Sequence, residues 1–242
     1  MKSKAIVACF LLLTGCSSDQ FPLPVLRYGG MKGDVVKVKE SYYDAVEKFG
    51  DIYPDELRHV FVSEYTSDGF LKSYAVYRAN GDWDYKSENT FEDGRCVKTV
   101  GHDRYNGTTE NVFVEGRKNY EKWSSTKEEG EKTITEVFYE GLRQICKDEE
   151  GRLVYELGYD EDGHVIDQKN YNEGEIVYRK LSEYDSRGLI IKTTEYFSAS
   201  SDPEVSTYTY PEFDSHDNWI TQYIYSSKGV VKTVVKLDIT YR

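Results

Sequence analysis

The residue with the clearest chemistry is Cys16, which ends the sequence Leu13-Thr14-Gly15-Cys16. Two lysines precede a short apolar run, Ala5 to Leu13, and a small residue stands just before the cysteine. This order is typical of a secretory leader that is cleaved immediately before a cysteine whose thiol becomes acylated. The apolar run is much shorter than the roughly 20 residues that a membrane-spanning helix needs. The sequence therefore predicts a lipoprotein signal peptide over residues 1–15 and lipidation of Cys16.

The segment after the cysteine predicts where the anchored protein resides. Residues 16–30 include two prolines and the pair Gly29-Gly30, which favours a tether between the lipid and the folded body. Ser17 rather than an aspartate follows Cys16, and this favours sorting to the outer membrane. We expect a lipid-anchored outer-membrane protein, and the sequence leaves open whether it faces the periplasm or the cell surface.

The charge of the chain restricts its partners. There are 43 acidic and 31 basic residues, which gives a formal net charge of −12. Nucleic-acid binding needs Lys and Arg to neutralise phosphates, so this balance argues against it. An acidic body is also repelled by anionic lipid. We therefore expect contact with the bilayer only through the acylated Cys16, and a protein or glycan partner in the envelope.

Patterns for catalysis, metals and phosphates are missing from the sequence. The four histidines, at positions 59, 102, 164 and 216, accompany no Gly-x-Ser-x-Gly nucleophile elbow. No phosphate-binding Gly-rich loop occurs. The stretch from Gly158 to Lys169 resembles a calcium loop only in its centre, because both end positions lack a carboxylate. The sequence predicts a protein that is not an enzyme, with no catalytic residue, metal site or cofactor.

Two cysteines, Cys96 and Cys146, remain after the leader and the lipidated residue are set aside. Their spacing does not fit a zinc site, which needs more ligands at short intervals. In an oxidising periplasm they could form a disulfide. The alternative is a pair of buried thiols, and both readings stay open.

The aromatic residues are the remaining candidates for ligand binding. The chain contains 22 tyrosines and three tryptophans. Flat rings with one polar handle suit stacking on sugars, and Trp83 and Trp219 are the candidate residues for such stacking. The alternative is a ladder of rings at equivalent repeat positions along a sheet. The regular spacing favours the ladder.

The elements that position these residues follow from a repeated phrase: an aromatic residue, a short acidic turn and a glycine. Asp, Asn and Ser bond back to their own turn, and glycine adopts the positive φ that closes it. The copies are Tyr65–Gly69, Phe91–Gly94, Tyr139–Gly141, Asp148–Gly151, Tyr159–Gly163, Tyr171–Gly174, Tyr184–Gly188, Phe213–Asn218 and Tyr225–Gly229.

Between the turns, side chains alternate with period two, as in half-buried strands. In the last segment Val231, Thr233, Val235, Leu237, Ile239 and Tyr241 share one face. We predict an all-β fold over residues 31–242: a repetitive antiparallel meander of strand–turn units forming a curled or solenoid-like sheet. The sequence leaves open whether that sheet closes. Only Tyr43 to Gly50 reads as a short helix.

The phrases Tyr159–Gly163, Tyr184–Gly188 and Phe213–Trp219 resemble the YD repeats of RHS-type proteins. They resemble still more a set of small bacterial lipoproteins built from degenerate YD-like repeats, whose function is uncharacterised. In the usual copy a glycine precedes Asn-Trp, whereas this chain has Asp217 there. The resemblance implies a repetitive β fold and carries no biochemical activity with it.

The sequence thus favours a membrane-anchored, non-enzymatic envelope lipoprotein that binds or scaffolds through a repetitive β-sheet surface. A glycan-binding accessory protein that uses exposed aromatic residues is the alternative. An envelope hydrolase ranks last, because the sequence provides no constellation of catalytic residues.

Overall fold

The structure is a computed structural model that describes residues 31–117, 119–198 and 202–242. The lipoprotein signal, Cys16 and the tether lie outside the described residues. Within them the secondary structure consists of sixteen β-strands. The first eight are β1 (Val35–Lys48), β2 (Asp51–Tyr65), β3 (Leu71–Arg78), β4 (Trp83–Glu92), β5 (Arg95–Asp103), β6 (Gly107–Arg117), β7 (Tyr120–Lys127) and β8 (Lys132–Glu140). The others are β9 (Arg143–Asp148), β10 (Leu153–Tyr159), β11 (Val165–Asn172), β12 (Glu175–Tyr184), β13 (Ile190–Phe197), β14 (Glu204–Phe213), β15 (Trp219–Ser226) and β16 (Val231–Tyr241).

The strands form one closed barrel rather than a curled or solenoid-like sheet. Each strand pairs antiparallel with its neighbours in the chain, as the predicted meander requires. The first and last strands also pair, with Val38 opposite Ile239 and Tyr42 opposite Val235. This seam closes the sheet, which the sequence had left undecided, and closure removes the edges at which another chain could add a strand. The all-β antiparallel prediction is confirmed, and the curled or solenoid-like form of the sheet is corrected to a closed barrel.

All nine copies of the repeated phrase form hairpin turns, as predicted. In four of them one carboxylate oxygen of the aspartate accepts hydrogen bonds, 2.8–3.1 Å long, from the backbone N–H groups two and four residues later. The aspartates are Asp148, Asp160, Asp185 and Asp214. The residue three positions on has positive φ: a glycine in three turns and Asp217, at 64°, in the fourth.

The short helix expected over Tyr43 to Gly50 is wrong. These residues are the end of β1 and a two-residue turn, and Val46 and Lys48 pair with Tyr53 and Asp51 of β2. Phe49 and Gly50 form the turn with φ of 58° and 89°. Gly50 therefore closes a hairpin rather than a helix. Local sequence with helical spacing is overridden here by pairing across the turn.

The barrel has an inner wall and an outer wall, because side chains alternate along every strand. Tyr42 of β1 interacts electrostatically with Tyr208 of β14, three strands away, so its face is the concave one. The strand register extends this face around the barrel. The aromatic residues of the inner wall include Tyr42, His59, Phe61, Tyr74, Tyr85, Phe113, Trp123, Tyr139, Tyr155, Tyr159, Tyr178, Phe197, Tyr208 and Tyr210.

Apolar packing is concentrated in two clusters. The seam cluster consists of Met31, Val38, Tyr65, Leu71 and Leu237, and lies where the barrel closes. The mid-sheet cluster consists of Cys96, Trp123, Val137, Tyr139 and Cys146, contributed by β5, β7, β8 and β9.

One buried amide fastens the seam at the end where β16 finishes. Asn218 is 4% exposed. It accepts a hydrogen bond from the Lys32 backbone N–H, 2.7 Å, and donates to the Lys32 carbonyl, 2.9 Å, and the Tyr241 hydroxyl, 2.7 Å. The β14–β15 turn therefore holds both the entry to β1 and the end of β16.

Candidate functional site

A continuous series of aromatic rings lines the inner wall beside the seam. The Tyr42 and Phe61 ring centroids are 5.0 Å apart in an edge-on arrangement. The series continues from Phe61 to Tyr74 at 6.1 Å and from Tyr74 to Tyr85 at 6.3 Å. These residues come from β1, β2, β3 and β4 in turn, so the rings follow the order of the strands. This is the predicted aromatic ladder, and it faces the inside of the barrel.

The inner-wall rings are not packed away from solvent. Tyr42, Phe61, Tyr74, Tyr178 and Tyr208 all point inward, yet each is only partly buried. Barrels of eight strands are filled by their own side chains, whereas barrels of about 16 strands leave space inside. The partial exposure of inward rings is what such an interior produces. The inner wall therefore presents aromatic rings that the fold does not bury completely.

Glu40 is a buried carboxyl group on this wall. It lies opposite Phe61 on one side and Leu237 on the other, and is 6% exposed. The Tyr42 hydroxyl donates a hydrogen bond to its Oε2, 3.1 Å. Burial raises the pKa of Glu40 to about 7, and the Tyr42 hydrogen bond opposes that rise. The group is thus poised to change charge near neutral pH.

Glu121 is the second buried carboxyl group of the inner wall, in the mid-sheet region. It is 4% exposed. Its Oε2 accepts hydrogen bonds from Trp123 Nε1, 3.2 Å, and the Tyr139 hydroxyl, 3.4 Å. Burial raises the pKa of Glu121, while these bonds and the charge of Arg95 lower it. These partners compensate the burial of Glu121 only in part, because its pKa stays above the ordinary value, but Glu121 has two donors where Glu40 has one.

Glu156 is buried on the outer wall and has still stronger partners. It is 7% exposed. Arg143 and Lys169 lie 2.9 and 3.0 Å from its Oε1. Burial alone would raise the pKa of Glu156, but the hydrogen bonds and charges of these two cations hold it below its ordinary value.

Ion pairs between adjacent strands run around much of the outer wall. In each pair, a basic side chain of one strand meets an acidic side chain of the next strand, and neither residue lies in a turn. The pairs are Lys37–Glu64, 3.0 Å; Lys98–Glu110, 2.8 Å; Lys122–Glu136, 3.8 Å; Arg179–Asp167, 2.9 Å; and Lys192–Glu183, 2.7 Å. The outer wall therefore carries charged pairs beside exposed apolar side chains such as Val112 and Tyr196. The inner wall is rich in aromatic rings and also holds the Lys180–Glu195 pair, 3.6 Å apart.

The two tryptophans proposed for ligand stacking are not brought together. Trp83 begins β4, is 36% exposed, and has the Lys86 ammonium 5.4 Å from its ring centroid. Trp219 begins β15, packs against the seam cluster, and meets Tyr210 edge-on at 5.5 Å. Trp83 keeps an accessible ring, whereas Trp219 is part of the packing and does not form a surface platform.

Of the two readings for the remaining cysteines, the structure has the buried thiols. Cys96 and Cys146 are buried, are not joined by a disulfide, and both belong to the mid-sheet cluster.

The histidines occupy four separate positions. His164 and His216 stack on Tyr184 and Tyr241 at 4.6 and 4.0 Å. His102 Nδ1 lies 3.0 Å from the Thr108 hydroxyl, and the His59 ring is 5.9 Å from Tyr42. Both lie in hairpin connections, where His216 is exposed and His164 is partly buried, and each ring covers the aromatic residue of a neighbouring strand.

The ligand atoms of Asp160, Asp162 and His164 lie within 4.8 Å of one another. Asp160 is already engaged there, because one of its oxygens accepts two turn amides and the other lies 2.9 Å from His164 Nδ1. These bonds account for the group as a hairpin turn.

Sequence reasoning missed Glu40 and Glu121. Each interrupts a face that otherwise reads as inward, as in Val38-x-Glu40-x-Tyr42 and Glu121-x-Trp123. An acid between two apolar or aromatic residues at period two is the signal that could have found them.

Comparisons with known proteins bear on the fold. No protein-family model matches the chain, and no curated protein matches it in sequence. It is similar in structure to a porin-like protein from Bacteroides uniformis, with a TM-score of 0.53 and 13% identity over 86% of this chain and 98% of that one. A porin-like protein from Bacteroides vulgatus matches at a TM-score of 0.43 and 11% identity, over the same shares of the two chains. At such identities the first likeness shows the fold alone, an antiparallel meander closed into a barrel.

Within the described ranges, no helix has the length and apolar character needed to cross a bilayer.

Proposed function

We propose that this chain is a non-enzymatic, lipid-anchored envelope protein that acts as a binding module, and that its binding surface is the inner wall of the barrel. The observation that carries the proposal is the partial exposure of inward rings such as Tyr42, Tyr178 and Tyr208. Aromatic rings that remain accessible inside a concave wall are typical of ligand sites. The sequence favoured binding through a repetitive β-sheet surface, and in this proposal that surface is the inner wall.

The outer wall supports a barrel that stands beside the bilayer rather than within it. Membrane barrels present an apolar band about 25 Å tall to lipid and keep polar groups inside. In this barrel, ion pairs such as Lys122–Glu136 and Lys192–Glu183 lie on the outer wall, between residues of the strands. Charged groups there would be costly against hydrocarbon. In this proposal Cys16 holds the protein on the outer membrane, and the YD-like family remains a proposal supported by the repeated Asp-x-x-Gly turns.

The test of the binding surface compares two neighbouring tyrosines of opposite orientation. Tyr178 points inward beside Phe197, with ring centroids 5.3 Å apart, whereas Tyr196 is on the outer wall and 42% exposed. We expect the neutral fluorescent probe N-phenyl-1-naphthylamine to bind the full chain saturably. Tyr178→Ala should weaken binding about ten-fold, since one ring contributes about 1 to 2 kcal/mol, and Tyr196→Ala should leave it unchanged. Equal loss in both variants, or no binding at all, contradicts the proposal.

Glycans are the second candidate ligand. Inward amides flank the rings, because Gln168 and Asn170 lie opposite Leu157 and Tyr155 on the neighbouring strand. Rings and amides together suit sugar faces and hydroxyls. Glycan-array binding that is lost with Tyr178→Ala favours the inner wall. Binding that is lost only with Trp83→Ala favours the outer surface expected from the sequence.

The anchor is tested separately. A palmitate analogue should label the wild-type chain and not Cys16→Ser, and the variant should leave the membrane fraction. Protease shaving of intact cells then distinguishes the cell surface from the periplasm. Labelling that persists in Cys16→Ser contradicts the lipidation.

A further inference from the structure

The aromatic series beside the seam surrounds a carboxyl group whose charge has no counterpart. Glu40 is more than nine-tenths buried, and the rings of Tyr42, Phe61 and Tyr74 lie along the wall next to it. Val38 and Leu237 of the seam cluster exclude water from its other side. A buried carboxylate normally has a cation or several donors, because desolvating it alone is costly.

The polar groups that face Glu40 can be followed strand by strand. Tyr42 of β1 donates the single hydrogen bond to its Oε2. Tyr65 of β2 and Tyr74 of β3 interact with it electrostatically, and β16 contributes Leu237. His59 and Tyr208 reach only as far as Tyr42. Apart from the apolar Leu237, these groups are tyrosine hydroxyls and one imidazole.

The lysines of the same strands point the other way. Arg78 of β3 shares the inner face in register, opposite His59, but its guanidinium is paired with Asp84 at 2.6 Å. Lys37 pairs with Glu64, and Lys236 with Glu212 on the outer wall, both at 3.0 Å. Of the three buried glutamates, Glu156 has two cations and Glu121 has two donors near Arg95. Among the described residues, Glu40 is the buried glutamate that has neither a cationic partner nor a second hydrogen-bond donor.

We infer that the inner wall around Glu40, Tyr42, Phe61 and Tyr74 is a binding site for an organic cation, an aromatic or alkyl primary ammonium. The inference rests on the proposed function of the inner wall. A primary ammonium supplies the charge that Glu40 lacks and three N–H donors for its oxygens. Its carbon skeleton packs on the rings, and the ring faces attract the positive charge. A neutral ligand of the same shape gains only the packing.

The site also couples ligand binding to a proton. Because burial raises the pKa of Glu40 to about 7, part of the population is protonated at neutral pH. An ammonium ligand favours the ionised carboxylate, so its binding releases a proton and strengthens as the pH rises through that value.

The test uses 2-phenylethylammonium and its neutral analogue 2-phenylethanol, titrated calorimetrically into the full chain at about pH 8. We expect the ammonium to bind about ten-fold more tightly than the alcohol. Glu40→Gln should remove this preference, leaving the two within about two-fold. The matched control is Glu121→Gln, which removes the buried inner-wall carboxylate beside the mid-sheet cluster and should keep the preference for the ammonium. Thermal unfolding checks that both variants are folded.

A measurement on the wild-type chain needs no variant. At about pH 7, titrations in buffers of different ionisation enthalpy should detect release of roughly half a proton per bound ammonium, and none for the alcohol.

Equal affinity for the two probes, or a preference that survives Glu40→Gln, overturns the inference. If neither 2-phenylethylammonium nor 2-phenylethanol binds, while binding of N-phenyl-1-naphthylamine is still weakened by Tyr178→Ala, the inference is wrong and the proposed function stands. If that dependence is also absent, both fall.

Discussion

The seam region around Glu40 and the mid-sheet region around Glu121 use the same elements in different ways. Both place a glutamate that is less than 7% exposed on the inner wall, beside aromatic residues and an apolar cluster. Glu121 lies beside the mid-sheet cluster and accepts a hydrogen bond from its Trp123, which is 1% exposed. Glu40 has rings that remain accessible and a single donor. The mid-sheet region is thus satisfied by its own side chains, and the seam region leaves a carboxylate and ring surface for a ligand.

This difference teaches that burial alone does not define a site. The two glutamates differ in how far the fold replaces their lost solvation with hydrogen bonds and nearby opposite charge. Glu156 on the outer wall extends the comparison, because two cations lower its pKa although it is as buried as the others.

The largest expected effect tests whether packing differs between the regions. Trp123→Ala removes a ring that is 1% exposed, and should lower the free energy of unfolding by about 3 to 5 kcal/mol. Phe61→Ala removes a partly exposed ring of the seam region, and should cost only about 1 to 2 kcal/mol. Urea unfolding followed by circular dichroism measures both. Equal losses would mean that the rings around Glu40 are core and not surface.

The next effect concerns pH. The pKa of Glu40 rises from 4.5 to about 7 on folding. Between these values the folded chain keeps a proton that the unfolded chain has lost, so the free energy of unfolding falls as the pH rises. Above this window the ionised carboxylate costs the fold up to about 3 kcal/mol. Glu40→Gln should therefore be more stable than wild type by about 1 to 3 kcal/mol near pH 8, and equal to it near pH 4. Urea unfolding at both pH values gives the difference.

Glu156→Gln is the control of opposite sign. Its lowered pKa contributes stability that is present above the unfolded value and lost as the pH falls. The variant should be less stable than wild type near pH 8 by about 1 kcal/mol, since its partners are partly exposed. A Glu40→Gln chain that is destabilised at about pH 8 would show that Glu40 is already compensated within the fold.

The smallest effect concerns the turn that fastens the seam. Asp217 occupies the left-handed position that glycine fills in the other Asp-x-x-Gly turns, with φ of 64°. Asp217→Gly relieves this backbone strain but also removes the exposed ion pair with Lys32. The net effect should be a free energy of unfolding higher by about 0.5 kcal/mol, seen as a slightly higher thermal unfolding midpoint.

Gly229 offers the reverse substitution at the opposite end of the barrel. It has φ of 72° and no atom within 4 Å of an added Cβ. Gly229→Asp should therefore cost about 1 kcal/mol from backbone strain alone. Destabilisation by Asp217→Gly would mean that the Lys32 ion pair contributes more to the seam than the turn geometry costs.

Local sequence predicted the strands and turns because their signals are local. The aspartates at 148, 160, 185 and 214 bond to amides only two and four residues away. Tyr43 to Gly50 was misread because its helical spacing is short and its partner, Asp51 to Leu57, lies across the turn.

By itself the sequence determined an antiparallel meander, its turn positions and an acidic body, since alternation and turn chemistry act within a few residues. Only the tertiary structure decided that β1 would bond to β16, nearly 200 residues later, and so close the barrel. It also decided which face turned inward and which glutamate met a cation. Glu40, Glu121 and Glu156 are alike in type and burial, and their partners come from strand register. The physical reason is that a charge is stabilised by what lies across the strand from it, and no local pattern encodes that neighbour.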